Sequence, residues 1–209
     1  MDRCNILDML TISQLRRPGL VCASLTLSAG ECVAVRGPSG AGKSLFLRAI
    51  ADLDPNEGDV VLAGQSRDSL AGPQWRRLVG YLPAEPGWWA DRIGSHFSDW
   101  TKAVPLAARL GLPAEAGDWP VTRPSTGERT RLALVRALAA EPKVLLLDEP
   151  TAALDVNSVL AVEDLIAERV AAGLAVLWVT HDPAQAGRVS RRSVLVAAGQ
   201  VTEEVEENA

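Results

Sequence analysis

The chain has 209 residues, 47% of them hydrophobic, with a net charge of −5 and a pI near 5.1. This length allows one large domain with a substantial buried core, or a compact core carrying an inserted subdomain. The acidic balance argues against nucleic-acid binding, which needs a basic face, and no apolar run approaches the roughly 18 residues that span a bilayer.

The first residues place Asp2 and Asp8 around a short apolar stretch, unlike a signal peptide, so a soluble cytosolic chain is expected. Residues 5–36 alternate short apolar runs with turn signals such as Arg17-Pro18-Gly19 and Ala29-Gly30-Glu31, which predicts an N-terminal antiparallel β layer. Cys4, Cys22 and Cys32 have no C-x-x-C spacing; Cys22 and Cys32 sit in strand-like segments and read as buried, reduced thiols. With only His96 and His181 beside them, a histidine-based metal site is not expected.

The apolar run Cys32-Val33-Ala34-Val35 leads into Gly37-Pro38-Ser39-Gly40-Ala41-Gly42-Lys43-Ser44, and a helical run follows from Leu45 to Ala51. That is strand, G-x-x-x-x-G-K-[ST] loop, helix. The glycines let successive backbone N–H groups point at phosphate oxygens, and the helix adds the positive end of its dipole. Lys43 is placed to reach the β- and γ-phosphates and Ser44 to put its hydroxyl on Mg²⁺.

Further strands are expected at 58–63 and Leu78–Leu82. After Pro83 the composition changes: Pro86-Gly87-Trp88-Trp89, Trp100, Pro105, Gly111, Pro113 and Trp119-Pro120 punctuate helical segments, which places an inserted helical subdomain at 84–139. It divides a first part, 5–83, from the rest of the core, 140–200. The runs Val144–Leu147, Leu174–Val179 and Val194–Ala197 alternate with helical patterns and predict a parallel sheet covered on both faces. Residues 201–209, with Glu203, Glu204, Glu206 and Glu207, read as an acidic, frayed end.

Two more elements carry chemistry. The run Val144–Leu147 ends in Asp148-Glu149, putting two carboxylates where open α/β sheets bind ligands. Asp148 suits the Mg²⁺ shell, and Glu149 can orient or deprotonate the water attacking the γ-phosphate. Ser125-Thr126-Gly127-Glu128 opens an amphipathic helix and is, by itself, a capping box. The same free helix N-terminus is also an anion site and can face a phosphate bound to another subunit.

The runs Pro124 to Leu138, Leu145 to Asp155 and Trp178 to Asp182 together resemble the ATP-binding subunits of ABC transporters over nearly the whole chain. The resemblance implies a RecA-like P-loop NTPase core of the α/β class, binding Mg-ATP. It further implies a head-to-tail dimer in which ATP lies between Gly37–Leu45 of one copy and Ser125, Thr126, Gly127 and Glu128 of the other. Asp155 matches the loop crossing that interface, His181 matches the switch histidine at the γ-phosphate, and Glu149, His181 and Lys43 form the catalytic set. A separate membrane permease is the implied partner, at the inner face of the cytoplasmic membrane, with Trp88 and Trp89 suited to dock it; packing between subdomains is the alternative for that pair. Size and the Trp-rich insert look most like bacterial iron-export-type subunits.

The sequence departs from the family pattern at three places. Pro124-Ser125-Thr126-Gly127 stands for Leu-Ser-Gly-Gly, adding a branched side chain near the phosphate contact. Ala84 stands where a Gln normally meets Mg²⁺, with Glu85 one position out of register. No aromatic precedes Phe46 to stack adenine, leaving contacts such as Leu15, Arg16 or Arg17 and an expectation of weak discrimination between ATP and GTP. Two other classes stay open. One is a regulatory nucleotide-binding module with weak hydrolysis, suggested by Ala84 and Thr126. The other is a soluble ABC ATPase of DNA repair or ribosomes, disfavoured by the acidic pI and the lack of long coiled-coil or basic insertions.

Overall fold

Strand-like alternation in the first sixty residues becomes a set of strands with one buried face. The computed structural model describes residues 8–204; Asp2, Cys4 and the acidic positions 205–209 lie outside them. The strands are β1 (Asp8–Arg17), β2 (Leu20–Ser28), β3 (Cys32–Arg36), β4 (Glu57–Leu62), β5 (Gln65–Ser66), β6 (Val79–Leu82), β7 (Val144–Asp148), β8 (Ala175–Val179), β9 (Arg192–Ala197) and β10 (Gln200–Glu204). The helices are α1 (Lys43–Ile50), α2 (Gly72–Leu78), α3 (Trp100–Arg109), α4 (Thr126–Ala139), α5 (Val156–Ala171) and α6 (Pro183–Val189).

All ten strands join one sheet in the order β5-β4-β1-β2-β10-β9-β3-β8-β7-β6. From β9 to β6 every neighbouring pair is parallel; from β5 to β2 the pairs are antiparallel. The two halves meet where β10, hairpinned to β9, runs parallel to β2 through Gln200↔Val21 and Val201↔Cys22. The expected antiparallel layer is therefore continuous with the parallel core.

Period-two alternation sorts the parallel strands between two cores. Val144 and Leu146 of β7 face one cluster with Phe46, Leu47 and Ile50 of α1 and Leu10, Ile12 and Leu27 of the antiparallel half. Leu145 and Leu147 face the other, with Leu132 and Val135 of α4 and Leu165 of α5. All four β7 residues are fully buried, and each stabilises the fold by about 1.5–3 kcal/mol relative to exposure. Trp75 closes the first cluster from α2, its indole N–H donating to the Ile50 carbonyl at 2.9 Å.

Two sequence expectations fail here. Pro105 lies inside α3 rather than ending a helix. The acidic end is not frayed from residue 201: Val201 is buried, and Glu203 and Glu204 belong to β10. Arg192 pairs with Glu203, and Arg36 donates to Glu204 at 3.2 Å, so neighbouring arginines neutralise those two carboxylates. The cysteine expectation holds for the described pair: Cys22 is buried, Cys32 is partly so, and both are free. Burial pushes their thiols up to about 11 and about 12.

Candidate functional site

The parallel strands order the chemistry along one edge. β3 ends in the loop Gly37–Gly42, β8 in Thr180-His181, β7 in Asp148-Glu149 and β6 in Pro83-Ala84, and these four strands are consecutive neighbours in the sheet. Motifs far apart in sequence thus come to one C-terminal edge, where open α/β sheets hold ligands.

The loop itself is dictated by close approach. Gly37 has φ +143°, and a Cβ there would stand 2.1 Å from the Val196 carbonyl oxygen of β9. Gly42 caps α1 in a left-handed conformation at φ +104°, against Leu20 just past the β1–β2 turn. Pro38, Ser39 and Gly40 are exposed, as is Ser44 at the start of α1, while Ala41 and Leu45 are half-buried. Lys43 is buried, its ammonium donating to the Gly37 and Pro38 carbonyls at 2.9 and 3.0 Å. The lysine thereby lies across the curl of the loop, among the N–H groups that would cradle phosphates.

Asp148 is 4% exposed and accepts a hydrogen bond from the Tyr81 hydroxyl at 3.1 Å. Glu149 turns out of the strand with φ +49°, a left-handed conformation rare for a non-glycine residue. The turn carries its carboxylate to 3.6 Å from His181 Nδ1. Both side chains meet solvent, His181 at 70% and Glu149 at 32%. A shallow cleft of about 200 Å³ lies beside them, lined by Thr151, Thr180, Asp182 and Gln185 among others. Beneath it a buried network locks the frame: the Gln185 amide donates to the Thr151 hydroxyl at 3.0 Å and to Glu163 at 2.9 Å.

The capping box at α4 is formed. Ser125 Oγ accepts from the Glu128 N–H at 3.3 Å, and Glu128 accepts from the Ser125 N–H at 2.8 Å; the Ser125 N–H first, and then its hydroxyl, hold the Glu128 carboxyl below its usual range. Ser125 and Thr126 are exposed, and Pro124 is buried ahead of the first helical residue, where no helical hydrogen bond is lost. Gly127 packs on the segment before α5: a Cβ would be 3.3 Å from the Ala153 carbonyl. Asp155 caps α5, accepting from the Ser158 N–H at 3.0 Å and hydroxyl at 2.7 Å. Within one chain Ser125 and Asp155 therefore both do helix-capping work, and among the described residues no hydrogen bond or ion pair joins their side chains to the phosphate loop.

Near the expected base site, Leu15 is fully buried and cannot meet a ligand. Arg17 is held by Asp54 at 2.6 Å and Arg16 by Gln14 at 2.8 Å. Trp89 is 75% exposed; Trp88 is half-buried, and the Arg136 guanidinium lies 4.7 and 4.9 Å from the two indoles. His96 anchors this corner, Nε2 accepting from the Trp89 and Ala90 N–H groups. Glu85, like Ala84, is exposed. Motif spacing gave no notice of Tyr81, Gln185 or Asp54, whose contacts depend on which strands and helices become neighbours; only strand alternation, putting residues 79 and 81 on one face, carried a hint of the first.

A protein-family model described as ABC transporter matches residues 20–152. The chain is 38% identical over 184 residues to the aliphatic sulfonates import ATP-binding protein SsuB 1 of Nocardia farcinica, covering 84% of this chain and 71% of that protein. A second relative, the aliphatic sulfonates import ATP-binding protein SsuB of Pseudomonas putida, is also 38% identical, over 85% of this chain and 67% of its own length. The fold matches a solved ATP-binding subunit of an ABC transporter with TM-score 0.86 at 24% identity, over 96% of this chain and 91% of that one. It also matches a bacterial Atm1-family ABC exporter with ATP bound, with TM-score 0.80 at 25% identity, over 94% of this chain and 38% of that one. These relatives are named for sulfonate import rather than iron export, so the narrower part of the sequence resemblance gains no support from them. The mixed sheet, the phosphate loop at its edge and these matches together make the chain a member of the ABC transporter family, as an ATP-binding component.

Proposed function

We propose that this chain hydrolyses ATP to drive transport through a separate membrane-spanning permease, at the cytoplasmic face of the membrane. The observation carrying this reading is the placement of Glu149 beside His181, 3.6 Å apart, on strands neighbouring the one that ends in the phosphate loop. Lys43 leaves its loop carbonyls for the β- and γ-phosphates, and the backbone N–H groups of 38–44 and the α1 N-terminus hold the rest of the chain of phosphates. Glu149 accepts the proton of the attacking water while His181 contacts the γ-phosphate, so catalysis consists mainly of positioning and electrostatics.

Ser44 and Asp148 are the metal-facing residues. They offer hard oxygen donors only, and among the described residues no group of three or more His, Cys, Asp or Glu forms a metal cage. That set suits Mg²⁺, which keeps several waters and completes its shell with substrate phosphates. Bound there, it would neutralise charge developing on the transferred phosphoryl group.

Solvent-open Glu149 and His181 support a composite site, in which Ser125, Thr126, Gly127 and Glu128 at the α4 N-terminus of a second copy close over the γ-phosphate and Asp155 lies at the junction. The helical segment 84–139 is the arm presenting that terminus. The relatives' names favour import as the direction of transport. A regulatory module with weak hydrolysis is the second reading, favoured by the absence of a polar group at Ala84.

Glu149→Gln decides between them. The variant should bind ATP like the wild type, lose turnover by about 10²–10⁴-fold as expected for removal of a general base, and run as an ATP-dependent dimer in size-exclusion chromatography. Unchanged phosphate release would remove Glu149 from its role, and negligible release by the wild type with its permease would favour the regulatory module.

A further inference from the structure

The geometry points to Tyr81 as the residue that orients Asp148 for the metal, a positioning role resting on the reading of Asp148 above. Register puts Tyr81 opposite Leu146 across the parallel β6–β7 pair. Val79 and Tyr81 lie on the α1 side of the sheet with Val144 and Leu146, and strand alternation puts Asp148 on that same side. The phenol thus reaches one step up the neighbouring strand and donates to Asp148 Oδ2 at 3.1 Å. Among the described residues no other side chain hydrogen-bonds that nearly buried carboxylate.

The phenol is itself constrained. Tyr81 packs against the first core cluster, and its hydroxyl is the donor in the bond to Asp148. Arg48 is fixed by Asp54 through two bonds of 2.8 and 2.7 Å, and Asp54 also takes Arg17 at 2.6 Å. Arg17, Asp54 and Arg48 thus form one hydrogen-bonded set that joins the β1–β2 turn to α1, the helix packed on the side of the sheet where Tyr81 lies. Holding Oδ2 leaves Oδ1 as the free acceptor for a metal-bound water. Ala84, three residues on, has no polar side-chain atom to share this work, which makes Tyr81 the polar side chain that β6 itself brings to this edge. Partners that orient a metal-facing group typically control affinity by about 10–100-fold.

The test is Tyr81→Phe in the full chain, with Asp148→Asn as reference. Binding of a fluorescent ADP analogue in EDTA should stay within about twofold of wild type, because the phosphate loop is untouched. Mn²⁺ affinity of the ADP complex, read by electron paramagnetic resonance, should fall about tenfold, at the lower end of that range. Wild-type Mn²⁺ affinity in Tyr81→Phe combined with loss in Asp148→Asn would overturn the proposal and leave Asp148 in place. Wild-type affinity in both variants would overturn the role of Asp148 as well. As the only tyrosine in the chain, Tyr81 also reports without any substitution: the ¹⁹F resonance of protein labelled with 3-fluorotyrosine should shift when Mg²⁺ is added to the ADP complex, and a resonance blind to Mg²⁺ would equally refute the idea.

Discussion

Asp54 joins three pieces of the molecule through one carboxylate. Arg17 approaches it from the β1–β2 turn and Arg48 from α1, and their hydrogen bonds hold its carboxyl far below the usual range. A carboxylate with a depressed folded-state pKa binds fewer protons folded than unfolded, so its stabilisation is present above the unfolded value of about 4 and is lost as pH falls below it. Asp54→Asn should therefore lower stability at pH 7 by about 1–2 kcal/mol, measured as the urea midpoint, with the gap to wild type closing below about pH 4. A gap that is constant with pH would mean the carboxylate acts through packing rather than charge. Nothing in the local sequence announces this residue: Leu53-Asp54-Pro55 reads as a turn after a helix. Lys43 and Glu149, by contrast, could be singled out from the sequence, because the phosphate binding and water activation proposed for them demand those residue types at fixed offsets in a motif.

At the scale of an element, α4 shows how one terminus carries two jobs. Its capping box satisfies N–H groups that the helix cannot satisfy internally, and the end it leaves at the surface is positively polarised. Substitutions at Ser125 separate the two. Ser125→Ala removes the cap and should cost about 1 kcal/mol of unfolding free energy. Ser125→Asp preserves the cap and the stability, yet sets a negative charge where the γ-phosphate is proposed to sit, so turnover should collapse while nucleotide binding to the phosphate loop persists. If Ser125→Asp hydrolyses ATP like the wild type, the α4 N-terminus has no part in the site. The helix, its start and its apolar side were readable from the Ser-x-x-Glu box and the spacing of Leu132, Val135 and Leu138. Its arginines were readable only as a polar face, although Arg136 covers the two indoles and Arg131 donates to the Leu110 carbonyl at 2.8 Å.

For the whole molecule, the exposed corner at Trp89 is the proposed point of contact with the permease, where a large aromatic can anchor a helix. Trp89→Ala should leave the thermal unfolding midpoint unchanged, since most of that indole is already in water, and should reduce co-purification of the permease from solubilised membranes severalfold. Full recovery of the permease with Trp88→Ala and Trp89→Ala, each folded, would move the contact elsewhere. No helix among the described residues is long and apolar enough to cross a membrane. The sequence by itself determined the fold class and the nucleotide-binding motifs, because hydrophobic periodicity and motif spacing are local properties of the chain. Only the tertiary structure decided that β10 pairs with β2 to merge two sheets into one, that Glu203 and Glu204 are neutralised by arginines, and that Tyr81 reaches Asp148. Each of these depends on which strands become neighbours, and that choice is made by burying both faces of the sheet at once, a condition no single stretch of sequence contains.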